Sequence, residues 1–288
     1  GQSMYEIERY VRANDLGTAV VLEAVLARRP QIRKLVVASS MSIYGEGAYT
    51  CEKCGLVAPQ LRSTPQLRDR RWEVECPKCG KTLSPAPTNE EKPLFPTSVY
   101  AVTKQDQEQF CLAVGRSYEI PTVALRYFNV YGTRQALSNP YTGVCAIFSA
   151  RLLNGNRPLI FEDGEQTRDF VHVSDIVQAN LLALETNRAD YEAINIGTGR
   201  PTSVRTVSDL LSKGLGLDIE PEIVGKYREG DIRHCVADIS KAKSLLGYEP
   251  RVSLEQGIPE LLSWVRAQAA EDQVESATAE LESRQLVR

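Results

Sequence analysis

The run Leu35-Val36-Val37-Ala38-Ser39-Ser40 constrains what this chain can fold into more than any other stretch. Four apolar residues followed by hydroxyls show no polar alternation, as expected of a short strand buried on both faces and paired in parallel. A strand of this kind belongs to an α/β fold, and its carboxyl end, where open parallel sheets bind ligands, is occupied by Ser40. Met41-Ser42-Ile43-Tyr44-Gly45 then leads into a glycine turn.

A second stretch, Tyr100-Ala101-Val102-Thr103-Lys104, is predicted to be helical. Thr97 or Ser98 can cap it, no Pro or Gly follows before Val114, and Tyr100 and Lys104 therefore fall one turn apart on one face. An ammonium beside a phenol favours the phenolate, moving a pKa of about 10 toward the range of a general acid or base. Taken alone, the spacing arises by chance and reads as a surface tyrosine beside a lysine stem. The strand-end hydroxyl at Ser40 gives it chemical weight.

The 288 residues, 42% hydrophobic and 25% charged, suffice for one large domain or two modest ones. A net charge of -3 gives no general attraction for nucleic acid or anionic lipid. No segment offers the ~18 uncharged apolar residues of a membrane span, and no signal peptide opens the chain, so the expectation is a cytoplasmic protein without a membrane partner. Of seven cysteines, Cys111, Cys145 and Cys235 are scattered singly, while the other four form two Cys-x-x-Cys pairs.

Four blocks occur in order: Ser39-Ser40-x-x-Ile43-Tyr44-Gly45, Tyr100-x-x-x-Lys104, Arg126-Tyr127-Phe128-Asn129-Val130-Tyr131-Gly132 and Arg168-Asp169-Phe170-Val171-His172-Val173. Together they resemble the extended short-chain dehydrogenase/reductase family, with the nucleotide-sugar epimerases most similar. The resemblance implies a Rossmann-like parallel sheet, NAD as cofactor and a nucleoside-diphosphate sugar as substrate. It implies that Ser40 hydrogen-bonds the sugar oxygen, that Tyr100 exchanges the proton, and that Lys104 binds the nicotinamide ribose and depresses the tyrosine pKa. Ser39 and Asn14 would lie at the cofactor site. Asn129, Arg168 and Arg228 would contact the nucleotide diphosphate, and two arginines converging there favour a nucleoside diphosphate over a free sugar. Cys235 would border the sugar, either widening its pocket or filling core, and His172 would be a packed strand residue. Helices around residues 3–29 and 97–118 would pair across a homodimer interface.

The chain departs from this pattern twice. It contains no Gly-x-x-Gly-x-x-Gly, and its Gly-x-Gly occurrences at Gly45, Gly197 and Gly214 read as turns or helix ends. Against the family, about eighty N-terminal residues corresponding to the first βαβαβ unit are expected to be missing, which implies weak NAD binding and little turnover. The second departure is the long interval between Ser40 and Tyr100, where residues 51–86 read as an insertion. It contains Cys51-x-x-Cys54-Gly55 and Cys76-x-x-Cys79-Gly80. Two such knuckles fit a tetrahedral Cys₄ zinc ribbon, structural because no ligand position stays open; disulfides or redox thiols are the alternatives, disfavoured in the cytosol. The insertion is expected to form a lid or wall near the sugar pocket. Arg62, Arg68, Arg70, Arg71 and Trp72 read as a solvated face with one anchoring tryptophan.

Elsewhere, patterning predicts a helix over residues 3–29, strands near 122–128, 158–161, 193–197 and 219–224, and helices near 141–153 and 203–215. Residues 1–50 and 87–135 form the expected partial NAD-binding domain, and 136–288 mainly a smaller α/β substrate domain with segments returning to the first sheet. The tail from Ala267 to Arg288 suggests a frayed helix without a role. The resemblance implies a 4-epimerase of dTDP-L-rhamnose or UDP-glucose/galactose type. A sugar dehydratase would carry an Asp-Glu pair where this chain has Met41 and Ser42, and a non-catalytic zinc-bearing scaffold is the alternative of a different kind.

Overall fold

A computed structural model of the chain describes residues 1–141, 143–268 and 271–288. Its central parallel sheet has three strands, Leu35–Ser40, Thr122–Tyr127 and Ala193–Ile196, with Thr122–Tyr127 in the middle. The register pairs Ser40 and Ile196 with Tyr127, so the three strands end together at one edge. Val123, Ala124 and Leu125 are fully buried, as expected of a middle strand covered on both sides. One face packs on the Val173–Glu185 and Ser240–Leu246 helices through Ile176, Ala179, Ala242 and Leu246. The other carries the Val99–Ser117 helix.

Ser98 caps that helix by accepting from the Ala101 amide, and the helix runs without a break for 19 residues. The predicted 3–29 helix is divided. A 3₁₀ turn at Gln2–Met4 precedes Ile7–Val11, and Arg12–Leu16 is a π-helical turn before Gly17–Ala27. The widened turn holds Asn14, whose amide donates to Thr103 Oγ1 at 2.9 Å across to the Val99–Ser117 helix.

Ser39, Glu108, Arg126, Tyr44 and Asn195 lock the sheet to this helix. Arg126 donates to both Glu108 oxygens at 3.0 and 2.6 Å, and Ser39 Oγ donates to the same carboxylate at 2.6 Å. The remaining Arg126 nitrogen donates to the Tyr44 hydroxyl at 2.7 Å, and Tyr44 donates to Asn195 on the third strand at 2.8 Å. Gly45 then turns the chain with φ +64°, where a Cβ would stand 2.4 Å from the Phe95 carbonyl oxygen.

Residues 48–86 form a small separate layer of antiparallel strands, Gly55–Val57, Ala48–Cys51 and Ser84–Ala86. Tyr49, Val57, Val74 and Leu83 make its core together with the cysteines. The remaining large core joins the Val144–Leu153, Val204–Leu215 and Leu254–Val265 helices through Phe148, Leu211 and Leu261. The tail is not a frayed end. Val274–Ser283 is a helix, Leu281 and Val287 are buried against Phe161, and Arg288 exchanges backbone hydrogen bonds with Tyr227.

Replacing Arg126 by Met would leave the buried Glu108 carboxylate with Ser39 as its remaining side-chain partner. The Arg126→Met variant is expected to lose about 3 kcal/mol or more of stability in urea titration; a loss below about 1 kcal/mol would contradict a structural role for the pair.

Candidate active site and four-cysteine cluster

The strand-end hydroxyls come first in the construction of the site. Ser40 Oγ accepts from the amide and hydroxyl of Ser42, at 3.2 and 2.9 Å, inside the Met41–Tyr44 turn. Its own proton is not used there, and the Ser40 side chain is near enough to the phenol of Tyr100 to act on its titration. Tyr100 is 37% exposed and meets the Tyr10 ring edge-on. One turn on, Lys104 Nζ donates to the Ala38 carbonyl at 2.7 Å and to Gln107 at 3.0 Å. Ser40, Tyr100 and Lys104 thus gather at the same end of the same sheet.

The electrostatics differ from the expectation that Lys104 depresses the phenol's pKa. Burial raises the Tyr100 pKa, and the nearby Ser40 side chain opposes it without reversing it. Burial likewise lowers the Lys104 pKa, with Cys111 opposing. The ammonium is held by a strand carbonyl and by Gln107, and the phenol stays above its ordinary pKa.

Three of the expected ligands have protein partners of their own. Ser39 is buried, with its hydroxyl donated to Glu108, so that hydroxyl is occupied by the sheet-to-helix network instead of facing a cofactor. Asn14 is paired with Thr103 between two helices. Cys235 is packed among Met41, Tyr44, Phe128 and Ala237, its thiol pushed up to about 12 by burial; it fills core and does not line the cavity beside it. His172 is buried against Tyr131 and caps the Val173–Glu185 helix, as a packed residue should.

That cavity, of about 390 Å³, extends from Met41, Ser42 and Ser98 toward Arg168 and Arg228. Asn129 is brought to it by parallel pairing of Asn129–Tyr131 with Phe170–His172. The Arg168 guanidinium is oriented by carbonyls, donating to Ile232 at 2.7 Å, Thr167 at 2.9 Å and Arg233 at 3.0 Å. Arg228 lies over the Phe161 ring at 4.1 Å. Asn129 Oδ1, Gln166 Oε1 and Arg228 Nε are buried without a hydrogen-bond partner, and all three residues line the cavity. Such groups fit a polar ligand that completes them.

Gln166 was not among the expected site residues. Its signal was available in the sequence, since it stands two residues before Arg168 and side chains at i and i+2 of an extended segment share a face. The C-terminal helix, expected as a frayed helix without a role, supplies Thr278 and Leu281 to the cavity wall.

The four cysteine sulfurs of Cys51, Cys54, Cys76 and Cys79 all lie within 4.8 Å of one another. Sulfurs at 2.3 Å around a tetrahedral zinc would be about 3.8 Å apart, so the donor set fits that ion. Gly55 and Gly80, with φ +73° and +72°, turn the two knuckles. No residue of 51–86 lines the cavity, which corrects the expected lid or wall. Nor is Arg62 solvated: its side chain is 1% exposed and paired with Glu162.

A family model described as GDP-mannose 4,6 dehydratase matches residues 80–261. A dTDP-L-rhamnose 4-epimerase from Burkholderia thailandensis is 35% identical over 92% of this chain and 71% of its own length. The chain belongs to the nucleotide-sugar epimerases and dehydratases of the extended short-chain dehydrogenase/reductase family. Among solved members of this family, a UDP-glucose 4-epimerase from Thermotoga maritima with UDP-glucose superposes with a TM-score of 0.71 at 35% identity, covering 92% of this chain and 73% of that one. A UDP-glucuronic acid 4-epimerase from Bacillus cereus, in complex with UDP-glucuronic acid and NAD, superposes with 0.71 at 29% identity, covering 91% and 70%. Membership accounts for the parallel sheet and the order of the four sequence blocks.

The raised phenol pKa has a direct readout. A difference titration of phenolate absorbance between the unsubstituted chain and Tyr100→Phe is expected to show no step below pH ~10, the ordinary phenol value. A step near neutral pH would contradict the dominance of burial.

Proposed function

We propose that this chain is a nucleotide-sugar 4-epimerase working with NAD, with dTDP-L-rhamnose as the first substrate to test and UDP-glucose/galactose as the second. The observation that carries the reading is the convergence of Ser40, Tyr100 and Lys104 at the sheet end, where their neighbours Met41, Ser42 and Ser98 open onto a cavity containing Arg168, Arg228 and four polar atoms without hydrogen-bond partners, on Asn129, Gln166, Arg228 and Glu229. Arg168 and Arg228 suit the diphosphate, while the open carbonyl oxygens of Asn129 and Gln166 suit hydroxyl or N–H donors of the sugar or base.

Tyr100 and Lys104 fit the nicotinamide-ribose end of NAD, through a phenol and an ammonium one helical turn apart. No glycine-rich turn in this sequence fits its pyrophosphate, so weak binding is expected. NAD, when bound, supplies the hydride acceptor and donor for C4 and a positive ring beside the phenol. Ser40 orients the sugar hydroxyl, and Tyr100 takes its proton and later returns one. Lys104 would hold the ribose hydroxyls.

An epimerase is favoured over a dehydratase by residues 41 and 42. Met41 is buried, and Ser42 donates to Ser40. Neither supplies the extra acid and base that elimination requires.

Structural zinc at Cys51, Cys54, Cys76 and Cys79 is supported by the sulfur spacing, and reduced thiolates suit a cytoplasmic location. Among the described residues no helix is long and apolar enough to cross a membrane. A homodimer formed through the helices around 3–29 and 97–118 is supported by exposed Val11, Val20, Val21, Val102 and Phe110.

With saturating NAD and a panel of dTDP- and UDP-sugars, proton NMR is expected to reveal a C4 epimer, and Tyr100→Phe to slow its formation at least about a hundredfold. No interconversion with any sugar, or full activity in Tyr100→Phe, would overturn the assignment. Native mass spectrometry is expected to show two chains with two zinc ions. A single-chain mass would contradict the dimer, and a metal-free mass the zinc site.

A further inference from the structure

The ion network behind the cavity joins the four-cysteine segment to the residues that orient Arg168. Arg62 donates to both oxygens of Glu162, at 2.9 and 2.8 Å, and to the Asp231 carbonyl at 3.1 Å. Glu162 lines the cavity, and its carboxylate also receives Arg233 at 3.0 Å. Arg233 spans to Asp163 on one side and to Glu73 on the other, at 2.7 and 2.6 Å. Glu73 accepts from His234 as well, and the His234 and Arg233 contacts hold its carboxyl down to about 2. Behind them Glu46, which is buried, accepts from the Arg233 and His234 amides.

This network fixes the backbone from Asp231 to His234. The carbonyls of Ile232 and Arg233 are two of the three acceptors that aim the Arg168 guanidinium. Arg62 and Glu73 both belong to the segment held by the cysteines: Glu73 stands three residues before Cys76, and Val74 and Cys76 share the segment's small core. A shift of that core therefore moves Glu73 directly and loosens the backbone on which Arg168 rests.

We propose that Arg62 and Glu73 are positioning residues that link metal occupancy of the four-cysteine cluster to nucleoside-diphosphate binding in the cavity. The inference rests on the nucleotide-sugar reading of that cavity and adds a regulatory link to it. The side chains of Arg62, Glu162 and Arg233 are 1%, 4% and 1% exposed, so removing one partner perturbs the others instead of being absorbed by water. Linkage makes the effect mutual: if metal strengthens nucleotide binding, nucleotide strengthens metal retention by the same factor.

The test uses the full chain, calorimetric titration with dTDP and UDP, and zinc stoichiometry measured on the same samples. Arg62→Met is expected to bind the better nucleotide at least about tenfold more weakly while retaining zinc. Stripping zinc with a chelator should weaken the unsubstituted chain similarly and add nothing further in Arg62→Met. This non-additivity separates linkage from a general loss of structure. If Arg62→Met fails to fold, Glu73→Gln, on a side chain 44% exposed, decides by the same comparison. Unchanged affinity in the folded variant, or equal losses on chelation in both proteins, would overturn the linkage. Failure of the unsubstituted, zinc-loaded chain to bind either nucleotide would overturn the nucleotide-sugar reading, and the linkage with it.

Discussion

Glu108 lies two helical turns beyond Tyr100, and its carboxylate receives Arg126 from the central strand and Ser39 from the neighbouring one. Through Tyr44 the same arginine reaches Asn195 on the third strand. One buried ion pair therefore fixes the rotation of the helix carrying Tyr100 and Lys104 relative to the strand carrying Ser40. Apolar packing alone would define this less sharply, because aliphatic side chains tolerate small rotations while a bidentate guanidinium does not. The pair is not read as a net source of stability, since desolvating two charges offsets most of their attraction. Its contribution is geometric.

A second buried network repeats this design around the ligand cavity. Arg62, Arg233 and Glu162 hold the backbone behind Arg168, while Arg228 rests on Phe161 and the C-terminal helix closes over the same space. Among the groups left without hydrogen-bond partners, Asn129, Gln166, Arg228 and Glu229 lie where the ligand would. Charges paired with one another stand behind groups open to the cavity, the arrangement expected of a preorganised polar pocket.

Local pattern carried much of the fold. The apolar run before Ser39 made the Leu35–Ser40 strand legible, and Ser98 with its uninterrupted downstream sequence made the catalytic helix legible. Cysteine spacing placed four thiols in one cluster because each knuckle is a local turn. Long-range partners were not legible. Arg62 reads as a surface arginine until Glu162, a hundred positions later, takes both of its terminal nitrogens. Ser39 and Asn14 were expected at the cofactor, and their engagement by Glu108 and Thr103 depends on tertiary pairing that spacing does not encode. The raised pKa of the phenol was not legible, because burial is a property of the folded surroundings.

The central claim is that Tyr100 and Ser40 manage a hydroxyl proton while the hydrogen on C4 leaves and returns as hydride. The most direct measurement is the fate of deuterium placed at C4 of dTDP-L-rhamnose, followed by NMR with NAD present. Inversion at C4 with deuterium retained on that carbon is the expected result. Inversion with deuterium lost to solvent would mean that the carbon is deprotonated by a base, and would contradict the account.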